Sequence, residues 1–237
     1  MTVISVSLLA MLLVSGCNQS EIEELHAQNQ KILTRLSQLE EDQNKLKGAG
    51  AADVRQVEDP NKVYPIPLGD SPVRGNPDAP VAIVEYSDFQ CAYCAQVQPL
   101  LMQLLEKYPD DVKLVFKQFP LSFHEAAMPA TIASLAAHDQ GKFWEMHDVL
   151  FANFRTLSEQ KLEAYAAEAG LDMDRFRLDL IQGKARYEDI AGADSKLGTS
   201  VSVRGTPTLF VNGVKVRNRS LEGISAMIER ARDTAGS

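Results

Sequence analysis

The sequence predicts an α/β domain that carries an inserted helical subdomain and follows a long N-terminal coiled-coil helix. Three observations lead to this prediction. The domain opens with a strand, a helix and a strand from Val81, and it closes with two short strands and a helix after Thr208. Between them, residues of about 123–198 show only helical patterns, and a polar segment with a regular apolar stripe precedes the whole. Helices packed on a sheet are the architecture expected for this order of elements.

The overall charge argues against a nucleic-acid partner. The 237 residues carry a formal net charge of −8, and the lysines and arginines form no basic run. Proteins that bind nucleic acids present clustered positive charge to the phosphate backbone. We therefore expect this chain to bind no nucleic acid.

Residues 1–17 are typical of a secretion signal rather than of the folded protein. The apolar run VISVSLLAMLLV (3–14) is shorter than the roughly 20 residues that span a bilayer. The next four residues, VSGC, resemble the lipobox of bacterial lipoproteins, although no Lys or Arg precedes the run. That resemblance implies cleavage before Cys17, lipidation of its sulfur and a membrane anchor, with Asn18 favouring the outer membrane. A plain secretory signal is the alternative, and on either interpretation the chain leaves the cytoplasm for a compartment that permits disulfides.

Residues 18–47 are predicted to form a coiled-coil oligomerisation helix. Over 21–47 the steps between seam residues alternate three and four for nearly four heptads, with only Leu33 beside the seam. The a positions are Ile22, Asn29, Leu36 and Gln43, and the d positions are Leu25, Ile32, Leu39 and Leu46. Mostly leucine at d with asparagine at one a position favours a parallel homodimer, whereas Leu36 at a and Ile32 at d leave a trimer open. A single solvated helix is the alternative.

Residues 48–62 are predicted to be a linker, because small residues and then charges follow one another without an apolar period. The domain then runs over 63–237, and a short strand is expected to open it within 62–69. The further strands are predicted at 81–86, 113–119, 208–213 and 214–216. The helices are predicted at 91–107, 126–139, 142–154, 158–169, 172–182 and 186–197, with a last helix capped by Ser220 and ending near 233.

The stretch FQCAYCAQVQP (89–99) holds two of the chain's three cysteines, Cys91 and Cys94. A four-cysteine zinc site needs a second pair, which the chain lacks, and the four histidines have no paired spacing, so no metal is expected. A structural disulfide would close a loop of only a few residues and would stabilise little. We therefore interpret Cys91 and Cys94 as a redox-active pair that needs no other cofactor.

The position of Cys91 suits it to be the attacking sulfur. It stands where the strand 81–86 gives way to a helix, so free backbone N–H groups and the helix dipole stabilise its thiolate. The thiolate is the nucleophile in disulfide exchange, and such placement lowers a cysteine pKa to about 3.5–7.5. Cys94 lies one turn inward and is expected to resolve the mixed disulfide.

Residues 63–235 resemble the DsbA branch of the thioredoxin superfamily. The matching stretches are SDFQCAYC (87–94), QGKFWEMHDVLF (140–151) and RGTPTLFVNG (204–213). The resemblance implies a thioredoxin fold with a helical insertion and a thiol–disulfide oxidoreductase of the periplasm or cell envelope. It also implies a cis proline, Pro207, beside the cysteines, with the backbone of Thr206 exposed to pair with substrate. Ala92 and Tyr93 would tune the thiolate and contact substrate, and Tyr93 brings no positive charge to favour a strong oxidant.

Two charged residues, Glu85 and Lys117, stand in otherwise apolar strands. In related folds a carboxylate at the place of Glu85 lies under the resolving cysteine and accepts its proton, and burial would raise its pKa for that role. Lys117 is expected to be its partner from the neighbouring strand. The alternative is that both residues sit at strand ends and face water.

Three functions remain open at this point. The first is a disulfide isomerase or reductase whose paired domains hold unfolded or misoxidised secreted proteins, supported by a membrane redox partner. The second is a DsbA-like dithiol oxidase. The third is an anchored, non-enzymatic coiled-coil protein whose domain only binds partners. The intact Cys91–Cys94 pair argues against the third, and the coiled coil favours the first.

Overall fold

The computed structural model describes residues 19–52 and 59–235. The chain divides into two units, one that ends at Glu58 and one that begins at Asp59. The predicted signal, the proposed lipidation site Cys17 and residues 53–58 of the predicted linker lie outside the described residues. None of the helices within the described ranges is long and apolar enough to cross a membrane.

In its described residues the first unit forms one helix, α1, which runs over Gln19–Ala52. It reaches five residues beyond the predicted end at Lys47 and takes in GAGAA, which the sequence assigned to the linker. Three alanines in that stretch favour helix and offset the two glycines, each of which costs about 1 kcal/mol relative to alanine. The seam residues Ile32, Leu36 and Leu39 are all more than half exposed on this single helix.

A five-stranded sheet forms the centre of the second unit. Its strands are β1 (Val73–Gly75), β2 (Val81–Ser87), β3 (Val112–Gln118), β4 (Thr208–Val211) and β5 (Val214–Lys215), in the order β1-β3-β2-β4-β5. Only β2 and β3 pair in parallel, and the other three pairs are antiparallel. The strand predicted within 62–69 is wrong: Val63 makes one isolated bridge to Val214 of β5, and the first strand of the described second unit is β1. With three residues, β1 is too short to show an alternating pattern.

Seven helices surround this sheet in the described part of the second unit. They are α2 (Ala92–Lys107), α3 (Ala127–Asp139), α4 (Phe143–Ala152), α5 (Leu162–Glu168), α6 (Met173–Gln182), α7 (Lys184–Ser200) and α8 (Leu221–Ala235). The five helices α3 to α7 lie between β3 and β4 in the chain and form the predicted insertion. Ser220 caps α8 as predicted, since its Oγ accepts a hydrogen bond from the Gly223 amide at 3.0 Å.

Each face of the sheet has its own apolar cluster. On one face, Ile83, Leu114 and Leu209 pack with Leu104 of α2 and Ile224 of α8. The opposite face carries Val84, Tyr86, Val115 and Phe210. Because successive side chains of a strand alternate between faces, Glu85 shares the face of Ile83 and lies beneath α2.

Candidate active site

The turn after β2 places Cys91 at the start of α2. Its amide donates to the Asp88 carbonyl at 3.1 Å, and its own carbonyl accepts the Cys94 and Ala95 amides at 3.1 Å, which begins the helix. The Cys91 Sγ lies 3.5 Å from the Thr206 carbonyl oxygen. Cys91 and Cys94 are free thiols in the structure, and little of either is exposed.

Hydrogen bonds to sulfur make Cys91 acidic. The Cys94 thiol contributes most, and with the Thr206 side chain and the backbone amides of Cys94 and Tyr93 it outweighs burial, so the pKa of Cys91 falls to about 5. At neutral pH the group is therefore a thiolate, which is the form that attacks disulfides. This is the chemistry expected of a nucleophile at a helix start.

The second cysteine has the opposite character. Cys94 is fully buried one turn into α2, and burial raises its pKa, with further contributions from the hydrogen bond to Cys91 and the negative charge of Glu85. A thiol in this environment keeps its proton until a base removes it. The site thus holds a ready nucleophile beside a protonated partner.

Glu85 of β2 is the candidate for that base, since it is the carboxylate whose charge acts on Cys94. It is fully buried, and burial raises its pKa to about 7 despite two neutral donors. The Ser87 hydroxyl donates to Oε1 at 2.7 Å, and the Gln98 amide nitrogen lies 3.0 and 3.2 Å from Oε1 and Oε2. The sequence analysis singled out neither donor, although Ser87 follows Glu85 by one strand period and Gln98 follows Cys94 by one helical turn.

Lys117 is not the partner of Glu85, so that prediction is wrong. In the parallel register Glu85 lies opposite Phe116, whereas Lys117 lies opposite Tyr86 and therefore on the other face of the sheet. There its Nζ donates to Asp194 Oδ1 at 3.0 Å and to the Leu68 carbonyl at 3.2 Å. Neither Glu85 nor Lys117 faces water.

The loop before β4 closes one side of the site. The Thr206–Pro207 peptide bond is cis, and the Thr206 carbonyl points at the Cys91 sulfur. Pro207 is buried, and its carbonyl accepts from Arg219 Nη1 at 3.3 Å. On the outer side Ala92 is exposed and Tyr93 is 69% exposed, so both are accessible to a substrate.

A second loop, 119–126, is tied to the turn that carries Cys91. The buried carboxylate of Asp88 accepts the Leu121 amide at 2.8 Å and contacts His124 Nδ1 at 2.9 Å. Gln90 Oε1 accepts the Ala126 amide at 2.8 Å. These contacts fix the turn without taking part in the exchange. In the described ranges, no three His, Cys, Asp or Glu side chains form a group able to hold a metal ion.

Comparison with known proteins places this site in a family. A family model described as thioredoxin matches residues 68–230. Among solved structures, a thioredoxin-like oxidoreductase from Silicibacter pomeroyi is 27% identical, with a TM-score of 0.61 over 70% of this chain and 94% of that one. Oxidised BdbD from Bacillus subtilis is 24% identical, with a TM-score of 0.62 over 71% and 96%, and supports the fold.

The curated relatives are longer proteins. A Na⁺/H⁺ antiporter NhaA 1 of Salinispora arenicola is 43% identical over 164 residues, which are 67% of this chain and 24% of that protein. The chain thus spans about a quarter of the length of the curated relatives it matches, and the transport in their name belongs to those proteins. The matching model covers most of the second unit, including the Cys91–Cys94 helix and the loop of Pro207. The chain belongs to the thioredoxin family, and its second unit has a DsbA-like thiol–disulfide oxidoreductase fold.

Proposed function

We propose that this protein exchanges thiols and disulfides with secreted proteins in the cell envelope. The observation that carries the proposal is the contrast within one helical turn. Cys91 has a pKa of about 5 at the start of α2, whereas Cys94 is buried and holds its proton. Binding alone needs no such contrast, and this argues against the non-enzymatic alternative.

Two single cysteine variants test this reaction. We expect the reduced protein to reduce a peptide disulfide, Cys91→Ala to form no adduct, and Cys94→Ala to accumulate a mixed disulfide on Cys91. Mass spectrometry of the quenched reaction identifies that adduct. If Cys94 carries the adduct instead, or if neither variant changes the rate of substrate reduction, the proposal is wrong.

We further propose that the protein acts as an oligomeric isomerase or reductase, with a dithiol oxidase as the alternative. The support is α1, whose seam residues Ile32, Leu36 and Leu39 are exposed on a lone helix and fit a second copy of the same seam. Two domains on one stalk would keep an unfolded substrate near both sites, since tethering raises effective concentration to about millimolar for short linkers. Simple reduction of a disulfide needs one such site and therefore no pairing.

A chain that begins at Asp59 separates the two functions. We expect it to be monomeric in analytical ultracentrifugation, to keep dithiol oxidation and reduction, and to lose most refolding of a scrambled multi-disulfide substrate. A monomer that isomerises as well as the full chain would favour the oxidase. The redox state of Cys91 and Cys94 in cells gives independent evidence, because an isomerase or reductase is kept mostly reduced by its membrane redox partner and an oxidase mostly oxidised.

Lipidation of Cys17 is proposed as the means of localisation. The anchor would hold the stalk at a membrane, with the outer membrane favoured by Asn18. Metabolic labelling with a fatty-acid analogue should mark the wild-type protein and not Cys17→Ser, which should be released into the soluble periplasmic fraction. If the wild type and Cys17→Ser fractionate equally, residues 1–17 are a plain secretory signal and the proposed lipidation is wrong.

A further inference from the structure

Gln98 contacts both the Glu85 carboxylate and the backbone of Cys94. Its Nε2 lies 3.0 and 3.2 Å from the Glu85 carboxylate oxygens and 3.1 Å from the Cys94 carbonyl oxygen. We propose that Gln98 is a positioning residue, whose amide clamps the Glu85 carboxylate to the helical turn of Cys94 so that the carboxylate accepts the Cys94 proton. This inference rests on the proposed exchange reaction and deepens it.

The groups that hold the Glu85 carboxylate in place are neutral hydrogen-bond donors. Its register partners are Phe116 on β3 and Leu209 on β4, both of them apolar. The ionisable groups that interact with it among the described residues are the two cysteines of α2. Among the described residues, Ser87 and Gln98 donate hydrogen bonds to its side chain, and of these two only Gln98 also reaches the turn that carries Cys94.

The resolving step balances with these groups. In the mixed disulfide, Cys91 Sγ is bonded to a substrate sulfur. The Cys94 thiol passes its proton to the Glu85 carboxylate, and the new thiolate attacks Cys91 Sγ. The Cys91–Cys94 bond forms, the bond to the substrate breaks, and the substrate sulfur leaves as a thiolate that takes a proton from water. Over the first attack and this resolving step together, the cysteine pair is oxidised by two electrons and the substrate disulfide is reduced by two.

Gln98 helps to determine at which pH Glu85 can accept this proton. Its hydrogen bond lowers the pKa of Glu85, which burial alone would raise further than its value of about 7. Loss of this donor therefore raises the pKa and leaves less carboxylate at neutral pH. A rise of about one unit, from about 7 to about 8, lowers the ionised fraction at pH 7 about fivefold.

The test compares Gln98→Leu, which keeps the approximate size and removes the donor, with Gln98→Glu, which replaces the donor by an acceptor. Gln96→Leu is the control, because Gln96 is exposed on the same helix. The Glu85 carboxyl is titrated by carbon NMR in the reduced full-length protein. In parallel, stopped flow follows reduced protein with a fluorescent peptide disulfide, where a first phase reports attack by Cys91 and a second reports peptide release by Cys94.

We expect Gln98→Leu to raise the Glu85 midpoint by at least about one unit and to slow the second phase about fivefold at pH 7. The first phase should keep its rate, and the second should recover near pH 9, which a merely damaged fold would not do. Gln98→Glu should raise the midpoint further because two carboxyl groups then share one site. Gln96→Leu should match the wild type in every readout.

Three results would overturn the inference in distinguishable ways. If the wild type releases peptide and Gln98→Leu keeps both the Glu85 midpoint and the second-phase profile, Gln98 has no such role and the exchange reaction stands. If the second phase falls equally at every pH, Gln98 is structural only. If the wild type releases no peptide at any pH, the proposed function fails, and the resolving role of Gln98 fails with it.

Discussion

Glu85 and Lys117 are buried ionisable residues on neighbouring strands, and they have different kinds of partners on the two faces of the sheet. On one face, Lys117 has an ionic partner, Asp194, at 3.0 Å, and Asp194 Oδ2 also accepts the Gln118 amide at 3.0 Å. On the other face, the donors to Glu85 among the described residues are both neutral, the hydroxyl of Ser87 and the amide of Gln98. In the sequence the two residues look alike, because each is a single charged residue in an otherwise apolar strand.

The difference shows what separates a buried charge that stabilises the fold from one that can take part in proton transfer. In a buried pair each ion offsets part of the desolvation of the other, and Lys117 in this way opposes the rise that burial causes in the pKa of Asp194. A buried carboxylate without a cation instead moves its pKa towards neutrality, and for Glu85 that value is about 7. A buried carboxyl group whose pKa lies near 7 can gain and lose a proton under ordinary conditions.

The largest effect is expected on the paired face. Lys117→Met leaves the Asp194 carboxylate buried without its cation, so we expect a loss of about 3–5 kcal/mol in the free energy of unfolding, measured by urea denaturation. Lys113→Met on the same strand is the control, since Lys113 bonds only to the Pro77 carbonyl and lies partly exposed. It should cost less than about 1 kcal/mol.

A double variant sharpens that prediction. Lys117→Met with Asp194→Leu removes both charges, and we expect it to regain most of the lost stability, because apolar replacements of a buried pair are often neutral. The pH dependence of peptide release should not change in any of these variants. A shifted profile would connect the two faces and would contradict their separation.

On the unpaired face, Glu85→Gln should change stability in a pH-dependent way. The folded-state pKa of about 7 lies above the ordinary value of 4.5, so the stabilising contribution is complete below about 4.5 and is lost as the pH rises through 7. The substitution removes this loss. We expect Glu85→Gln and the wild type to be similar near pH 4.5, and the variant to be more stable by about 3 kcal/mol near pH 8.5.

Urea denaturation of the two reduced proteins at several pH values measures this difference. The same variant should slow peptide release, since glutamine accepts no proton from Cys94. A stability difference that stays constant with pH would show that Glu85 has an ordinary pKa, and the contrast between the two faces would disappear.

The sequence predicts the fold well because its signals are local. The buried strand 81–86, the helix after Cys91 and the cap at Ser220 depend on residues adjacent in the chain, and their bounds differ from the structure by a residue or two. The resemblance in three short stretches then predicted the family, which the comparisons confirm. The predicted pairing of Glu85 with Lys117 failed because it depends on strand register, and a shift of one residue reverses the face.

The donors to Glu85 were missed for a related reason. Ser87 and Gln98 are ordinary polar residues whose role appears only when β2 and α2 are stacked. Asp194, which holds Lys117, lies 77 residues away in the inserted helices. No local pattern connects residues so distant in the chain.

A smaller effect is expected on the pKa of Cys91, which lies between the buried and the accessible parts of the site. Cys91 should be alkylated with a half-maximal rate near pH 5 in the wild type. Cys94→Ala removes the hydrogen bond that contributes most to the low pKa of Cys91, so the midpoint should rise by at least about one unit, or about 1.4 kcal/mol. Thiolate absorbance against pH measures it, with Cys17→Ser in both proteins. If the midpoint did not change, the low pKa of Cys91 would come from its position at the helix start alone.

The smallest effect is expected at the exposed edge of the site. Tyr93→His introduces an imidazole with an ordinary pKa of about 6.5, so it is charged over the range in which Cys91 titrates. Tyr93 is 69% exposed, and a charge at about 4 Å in water is worth only about 1 kcal/mol, so the Cys91 pKa should fall by less than one unit. High salt should remove most of that shift, and Tyr93→Phe should show none. A larger shift that resists salt would mean that the thiolate is less screened than the exposure of Tyr93 indicates. The exposure of a side chain would then not be enough to predict how strongly its charge changes the Cys91 pKa.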